Sequence, residues 1–283
     1  MTAPPLREVI ARHGLAAKRS LGQHYLLDAN LTERIVRAAG RLTGRHVVEI
    51  GPGPGGLTRA LLGSDAASVT VVELDQRAVA AMRELAAQAG GRLRVIHGDA
   101  LALDAASLVP APRRIVANLP YNIATPLLIA WLRRAEAFEQ LTLMFQQEVA
   151  ERICAEPAAS AYGRLSILTQ WTCQTALLLI IPPAAFVPAP KVYSAVVGLT
   201  PRPVQPEPAL FAAMERLTAA AFGQRRKMLR RALKPIGGEM LLRDANIAPD
   251  RRAETLSVAE FDRLARLLVT SETGNEFAEP GLA

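Results

Sequence analysis

Between residues 46 and 154 short apolar runs alternate with helical stretches, and few folds admit that rhythm. The runs His46-Val47-Val48-Glu49-Ile50, Ser68-Val69-Thr70-Val71-Val72-Glu73, Leu93-Arg94-Val95-Ile96-His97, Ile115-Val116-Ala117-Asn118 and Leu141-Thr142-Leu143-Met144-Phe145 read as strands. Helical composition falls at 57–62, 76–89, 127–134 and 148–154, and Asp28 reads as the N-cap of a helix over 31–39. Strands joined through helices must run parallel and be covered on both faces, so the expected class is α/β. Ala176-Leu177-Leu178-Leu179-Ile180-Ile181 reads as one more buried strand, stopped by Pro182-Pro183. Pro201, Pro203, Pro206 and Pro208 then interrupt eight residues, which neither a helix nor a central strand tolerates. We expect a linker there, dividing an α/β domain at 1–203 from a small helical domain at 204–283. The latter is helical in pattern to about Leu268 and ends in a polar tail.

The chemistry-bearing residues recur at strand ends. Gly51-Pro52-Gly53-Pro54-Gly55-Gly56 follows the first strand and opens a helix, an arrangement that brings backbone N–H groups close to a ligand. Glu73 closes the second strand, placed to accept hydrogen bonds from ribose hydroxyls. Asp99, beside Ala100, follows the third and suits an adenine amino group. The glycine fingerprint alone fits NAD as well as S-adenosylmethionine. Two features lean to the latter. Pro52 and Pro54 remove N–H donors that a pyrophosphate would use, and an acid after a third strand has no required place in a dinucleotide site.

Asn118-Leu119-Pro120-Tyr121 follows the fourth strand. An amide oxygen, backbone carbonyls fixed by a proline and an aromatic ring are the groups needed to hold an exocyclic amine on a flat heterocycle. Adenine N6 is a poor nucleophile because its lone pair is delocalised into the ring. Asn118 Oδ1 and the Leu119 or Pro120 carbonyl can accept both of its N–H groups while Tyr121 stacks on the base. Positioning and fixed dipoles then supply most of the rate. Phe186 is expected to close the other face of the base. Such a pocket accepts only an unpaired or flipped nucleotide. No metal is needed for this chemistry, and the histidines lack ligand spacing.

The net charge of +7 favours an acidic partner such as nucleic acid. Arg225, Arg226, Lys227, Arg230, Arg231 and Lys234 form a block with no acid between Arg216 and Glu239. At helical spacing Arg226, Arg230 and Lys234 share a face, which we read as contacting phosphates, with Lys18, Arg19 and Lys191 as further contacts. Cys154 and Cys173 are isolated and read as reduced thiols of a cytoplasmic protein. No stretch approaches a membrane span, and nothing demands more than a monomer.

Taken in order, several further segments accompany these. They are Leu21-Gly22-Gln23-His24-Tyr25-Leu26, Glu49-Ile50-Gly51-Pro52-Gly53, Asn118-Leu119-Pro120-Tyr121-Asn122-Ile123 and Phe186-Val187-Pro188. Pro190-Lys191-Val192-Tyr193-Ser194-Ala195-Val196-Val197, Phe222-Gly223-Gln224-Arg225-Arg226-Lys227-Met228-Leu229 and Arg252-Ala253-Glu254-Thr255-Leu256-Ser257 complete the set. Together they resemble the small-subunit ribosomal RNA adenine N6,N6-dimethyltransferases (the KsgA type). The resemblance implies a Rossmann-like S-adenosylmethionine-dependent methyltransferase sheet with a small C-terminal helical domain. It implies dimethylation of two adjacent adenosines in the 3′-terminal hairpin loop of 16S-type RNA, within an assembling 30S-type particle. It also implies cofactor contacts at His24, Leu26, Gly51, Glu73, Asp99 and Asn118, to which the strand-end reading adds Gly53 and Ala100, and an RNA-binding C-terminal domain. The family usually has Asn-Phe where this chain has His24-Tyr25. Three rival readings share these features: a large-subunit RNA dimethyltransferase, an assembly factor without activity, and a DNA adenine methyltransferase. The segments at 222–229 and 251–261 favour the small-subunit type over the first. Intact Glu73, Asp99, Asn118 and Tyr121 weigh against the second, and a short basic tail against the third.

Overall fold

The computed structural model describes residues 4–17 and 22–276; Lys18, Arg19 and Leu21 lie outside them. By compactness the chain forms two units, one of residues 1–150 and 175–201, the other of 151–174 and 202–283.

The first unit is built on a seven-stranded sheet. Its strands are β2 (His46–Ile50), β3 (Ser68–Glu73), β4 (Leu93–His97), β5 (Arg113–Asn118), β6 (Gln140–Gln146), β7 (Cys173–Ile181) and β9 (Ser194–Pro201). They lie in the order β4-β3-β2-β5-β6-β9-β7. β4 to β6 through β3, β2 and β5 are mutually parallel, and β9 runs antiparallel to β6. Two short strands, β1 (Tyr25–Leu26) and β8 (Phe186–Val187), pair separately in antiparallel fashion. The inner strands carry the buried core, with Val47, Val48, Val69, Val71, Val72, Ile115 and Val116, whereas the edge strand β4 is buried only at Leu93. Burying each such side chain contributes about 1.5–3 kcal/mol, so the centre of the sheet is the stable part. β1, β8 and β9 carry no turn signal strong enough to mark them in the sequence; β9 is buried over its first six residues.

Helices α1 (Leu6–Arg12), α2 (Ala29–Ala38), α3 (Gly56–Leu62), α4 (Gln76–Gln88) and α5 (Ala124–Leu132) complete this unit. Asp28 caps α2, its Oδ1 accepting the Asn30 N–H at 2.9 Å. Asp75 caps α4 in the same way. α5 starts three residues earlier than its apolar period suggests, because Pro126 sits in the first turn, where its missing N–H has no helical partner to lose.

The second unit contains α6 (Gln147–Cys154, from Glu151 on), α7 (Arg164–Thr172), α8 (Pro208–Gly223), α9 (Leu229–Ala232), α10 (Gly238–Asp244) and α11 (Val258–Glu276). Pro208 opens α8 at a position suited to a missing N–H. The sequence places the whole stretch from 151 to 203 with the α/β domain; the structure instead groups 151–174 with the C-terminal helices. Tyr162 explains why: it is buried, stacks edge-on to Phe222 and donates its hydroxyl to the Leu256 carbonyl at 2.9 Å. α11 also runs on to Glu276, past the expected end near Leu268.

Candidate active site

The strand order reverses between β2 and β5, and open parallel sheets form a crevice at such a point, beyond the C-terminal strand ends. One cleft there is lined by Gly51 and Gly53 after β2, Glu73 ending β3, Asp99 and Ala100 after β4, and Asn118, Leu119, Pro120 and Tyr121 at the end of β5. His24 and Leu26 reach it from the segment around β1. All eight expected cofactor residues therefore share a single cavity with the Asn-Leu-Pro-Tyr segment.

The glycine turn is shaped by its neighbours. Gly51 and Gly53 have φ of 67° and 54°. A Cβ at Gly53 would stand 2.8 Å from the Tyr25 ring, and one at Gly51 would stand 3.2 Å from the Pro120 ring. Only glycine combines that backbone with that proximity. The turn in turn fixes Glu73. Its Oε2 accepts the Gly53 N–H at 3.1 Å, and its Oε1 accepts the N–H groups of Leu74 and Asp75, both at 2.8 Å. With two lone pairs per oxygen, one acceptor position remains, on Oε2. Burial pushes the Glu73 carboxyl up, while the three N–H donors favour its ionised form. Asp99 Oδ1 accepts the Leu101 N–H at 2.9 Å, which orients the carboxylate by a local turn.

Among the described residues, one hydrogen bond sets the Asn118 side chain. Its Nδ2 donates to the His24 carbonyl at 3.3 Å, so Oδ1 is the end of the amide left to accept. His24 therefore serves Asn118 through its main chain, and the exchange of side chain at this position does not touch that bond. The His24 ring donates from Nδ1 to the Pro188 carbonyl at 2.8 Å. It lies 5.5 Å from the Tyr121 ring, tilted by 31°. Tyr121 shares a 2.6 Å hydrogen bond with Ser194 Oγ. Burial raises its pKa, so the phenol stays protonated at neutral pH and is no base.

Phe186 does not join the cleft. Its strand pairing with Leu26 turns the side chain into the hydrophobic core, where it is 2% exposed. The expected second aromatic wall is thus absent at that residue in this conformation, since apolar burial claims the ring first.

Residues that sequence reasoning did not single out also line the cleft: Gln23, Tyr25, Glu49, Leu74 and Leu101. Tyr25 donates to Gln23 Oε1 at 2.9 Å, and Gln23 Nε2 donates to Asp75 Oδ2 at 3.3 Å. The Arg77 guanidinium, 2.6 Å from Asp75, holds that carboxyl down at about 2. Burial, with Asp75 and Glu73 adding to it, pushes the Tyr25 phenol up to about 12. Glu49, 1% exposed, accepts the Thr58 hydroxyl at 2.7 Å. Burial pushes its carboxyl up to about 8, opposed by Thr58 and reinforced by Glu73. An acid inside an otherwise apolar parallel strand was the signal available for it.

The basic residues divide. Arg225 is a structural residue: it pairs with Glu254 at 2.9 Å and donates to the Ser160 carbonyl at 2.7 Å. The shared helical face of Arg226, Arg230 and Lys234 does not form. α8 ends at Gly223, Met228 is extended, α9 is four residues long, and Lys234 lies in a separate turn broken by Pro235. Buried Leu229, Ala232 and Leu233 dictate that path. Arg226, Lys227, Arg230, Arg231 and Lys234 are nevertheless exposed, as is Lys191 in the first unit. Arg230 has one long ion pair, 3.9 Å to Glu239. Lys18 and Arg19 lie outside the described residues. Among the described residues no cluster of His, Cys, Asp and Glu is arranged to hold a metal ion.

A reversing parallel sheet with a glycine turn, two strand-end acids and an Asn-Leu-Pro-Tyr cleft defines a Rossmann-like methyltransferase. The family model described as ribosomal RNA adenine dimethylase matches residues 14–269. The chain belongs to that family. The ribosomal RNA small subunit methyltransferase A of Gluconobacter oxydans (strain 621H) is 62% identical over 271 residues, 96% of this chain and 89% of that protein. Among solved structures, a dimethyladenosine transferase from Plasmodium falciparum superposes with a TM-score of 0.73 at 26% identity, covering 89% of this chain and 98% of that one. The 23S rRNA methyltransferase ErmE gives 0.65 at 26% identity, with 86% and 99% covered.

Proposed function

We propose that this chain uses S-adenosylmethionine to place two methyl groups on N6 of adenosine in small-subunit ribosomal RNA. Asn118 carries the reading: its amide nitrogen is committed to the His24 carbonyl, so an oxygen acceptor is presented beside a stacking ring. The small-subunit assignment is favoured over the large-subunit one by the relatives: 62% identity to the Gluconobacter oxydans protein against 26% to ErmE.

The cleft suits the cofactor. Gly51 and Gly53 bring the main chain close, Glu73 Oε2 keeps one position for a ribose hydroxyl, and Asp99 retains an oxygen for an adenine amino group. Leu26 and Ala100 add walls, and the His24 loop closes one side. When bound, S-adenosylmethionine supplies an electrophilic methyl on a sulfonium.

The rest is done by the chain. Asn118 Oδ1 accepts one N–H of the target amine. The Pro120 carbonyl already accepts the Ile123 N–H at 3.1 Å, which favours the Leu119 carbonyl for the other. Accepting both lets the nitrogen pyramidalise and expose its lone pair. Tyr121 stacks on the base and fixes its plane. These are positioning and fixed-dipole effects, and the proton that N6 loses on each transfer goes to solvent rather than to the neutral Tyr121 phenol.

The family resemblance extends the proposal to two adjacent adenosines in the 3′-terminal hairpin loop, methylated in an assembling 30S-type particle by a monomer in the cytoplasm. Among the described residues no helix is long and apolar enough to cross a membrane. Arg226, Lys227, Arg230, Arg231, Lys234 and Lys191 are the proposed phosphate contacts, with Lys18 and Arg19. The test offers labelled S-adenosylmethionine with unmethylated small subunits, large-subunit RNA and duplex DNA side by side. Label in small subunits alone is expected. Transfer only to another substrate would overturn the assignment, and cofactor binding without any transfer would favour a non-enzymatic assembly factor.

A further inference from the structure

Tyr121 is held from two sides, and both holds come from outside its own loop. Asn118 pairs in register with Met144 of β6, Met144 pairs with Val196 of β9, and Gln146 pairs with Ser194. The strand that aims Asn118 is therefore tied through β6 to the strand that starts at Ser194. Ser194 is 0% exposed, and its Oγ lies 2.6 Å from the Tyr121 hydroxyl, three residues beyond Asn118. On its other side the Tyr121 ring meets the His24 ring at 5.5 Å. That ring is immobilised in turn by its Nδ1–H bond to the Pro188 carbonyl.

We propose that Ser194 and His24 are positioning residues for methyl transfer, which hold the Tyr121 ring at the place where the target base stacks. The proposal rests on the reading of Tyr121 given above and deepens it. A tyrosine ring tethered only at Cβ turns about two side-chain torsions. A hydrogen bond from its far end to a buried strand residue removes that freedom and keeps the ring fixed relative to Asn118 Oδ1. Small displacements of a positioned reactant lower rate strongly, so the tether acts on the transfer step and not on cofactor binding. The phenol oxygen then has a mechanical role, and phenylalanine would stack but drift.

The test compares Tyr121→Phe, Ser194→Ala and the double variant in single-turnover transfer to unmethylated small subunits, with the cofactor Kd measured separately. Each single change is expected to lower the rate about three- to tenfold, the usual worth of one hydrogen bond. The double variant should be no slower than the slower single, because both remove the same bond. The cofactor Kd should stay within about twofold, since neither side chain is among the cofactor contacts. His24→Asn keeps the main-chain carbonyl on Asn118 and should slow transfer about threefold through the lost ring contact. RNA carrying 2-aminopurine at the target position reports stacking directly, and its quenching should weaken in both single variants. Full rate in Tyr121→Phe, or losses that multiply in the double variant, would overturn the tether. A wild-type enzyme that methylates no adenosine would instead remove the functional reading beneath it.

Discussion

At Asn118 one hydrogen bond commits the amide nitrogen and leaves the oxygen as the end that can accept. Replacing Asn118 by Ala should lower the rate constant for transfer by on the order of 10²-fold, as loss of a preorganised dipole does elsewhere. A rapid-quench measurement with saturating cofactor checks this, and a loss below about threefold would mean that Oδ1 does not serve the amine. Glu49 makes a different claim. Its carboxyl is held at about 8 by burial, above the ordinary 4.5, so the folded state keeps a proton that the unfolded state gives up. Stability is then full below about pH 4.5, falls as the pH rises towards 8, and levels beyond it. Glu49→Gln should flatten the fall of Tm between pH 5 and 8; an unchanged slope in thermal melts would contradict the assignment. Strand-end residues such as Glu73, Asp99, Asn118 and Tyr121 were legible because their position in the alternating pattern states where they point. Glu49, Tyr25 and Gln23 were less so, for their roles come from packing across the glycine turn. Phe186 was misplaced for the same reason: its ring is committed to the core by a two-residue pairing with β1 that no periodicity announces.

Individual elements follow the same division. The parallel strands lie where runs of Val, Ile and Leu put them, because burial on both faces favours apolar residues and the buried exceptions, such as Glu49, are hydrogen-bonded. β9 was read only as a segment of resemblance, yet its first residue supplies the Ser194 hydroxyl. The basic block shows the limit of spacing arguments. A 3.6-residue period from Arg226 to Lys234 assumes one helix, and buried Leu229 and Leu233 with Pro235 produce two short turns instead. With no shared face, the proposed phosphate contacts rest on the exposure of these residues. Arg226→Glu with Arg230→Glu should weaken RNA binding and reduce the slope of log affinity against log salt by about two. Binding titrations at several salt concentrations would contradict this with an unchanged slope. Arg225→Ala should act otherwise. It removes the Glu254 ion pair and the bond to the Ser160 carbonyl, and is expected to lower Tm by about 2–4 °C. No effect on Tm in calorimetry would return Arg225 to the phosphate contacts.

On the scale of the whole chain, the proline-rich segment led to an expected division at 203/204, and one compact division falls at 201/202. It hid the other: residues 151–174 leave the α/β unit because Tyr162 packs against Phe222 and donates to the Leu256 carbonyl. No local composition change marks that exit. Within the α/β unit the strand ends converge on a cleft lined by Asn118 and Tyr121, which the proposed reaction uses to hold a flat amine. The most direct test digests small-subunit RNA after reaction with the wild-type protein and with Asn118→Ala, and quantifies methylated nucleosides by mass spectrometry. We predict N6,N6-dimethyladenosine from the wild type and little from the variant, with cofactor saturating for each. Methylation on another base, or on a ribose hydroxyl, would contradict the account.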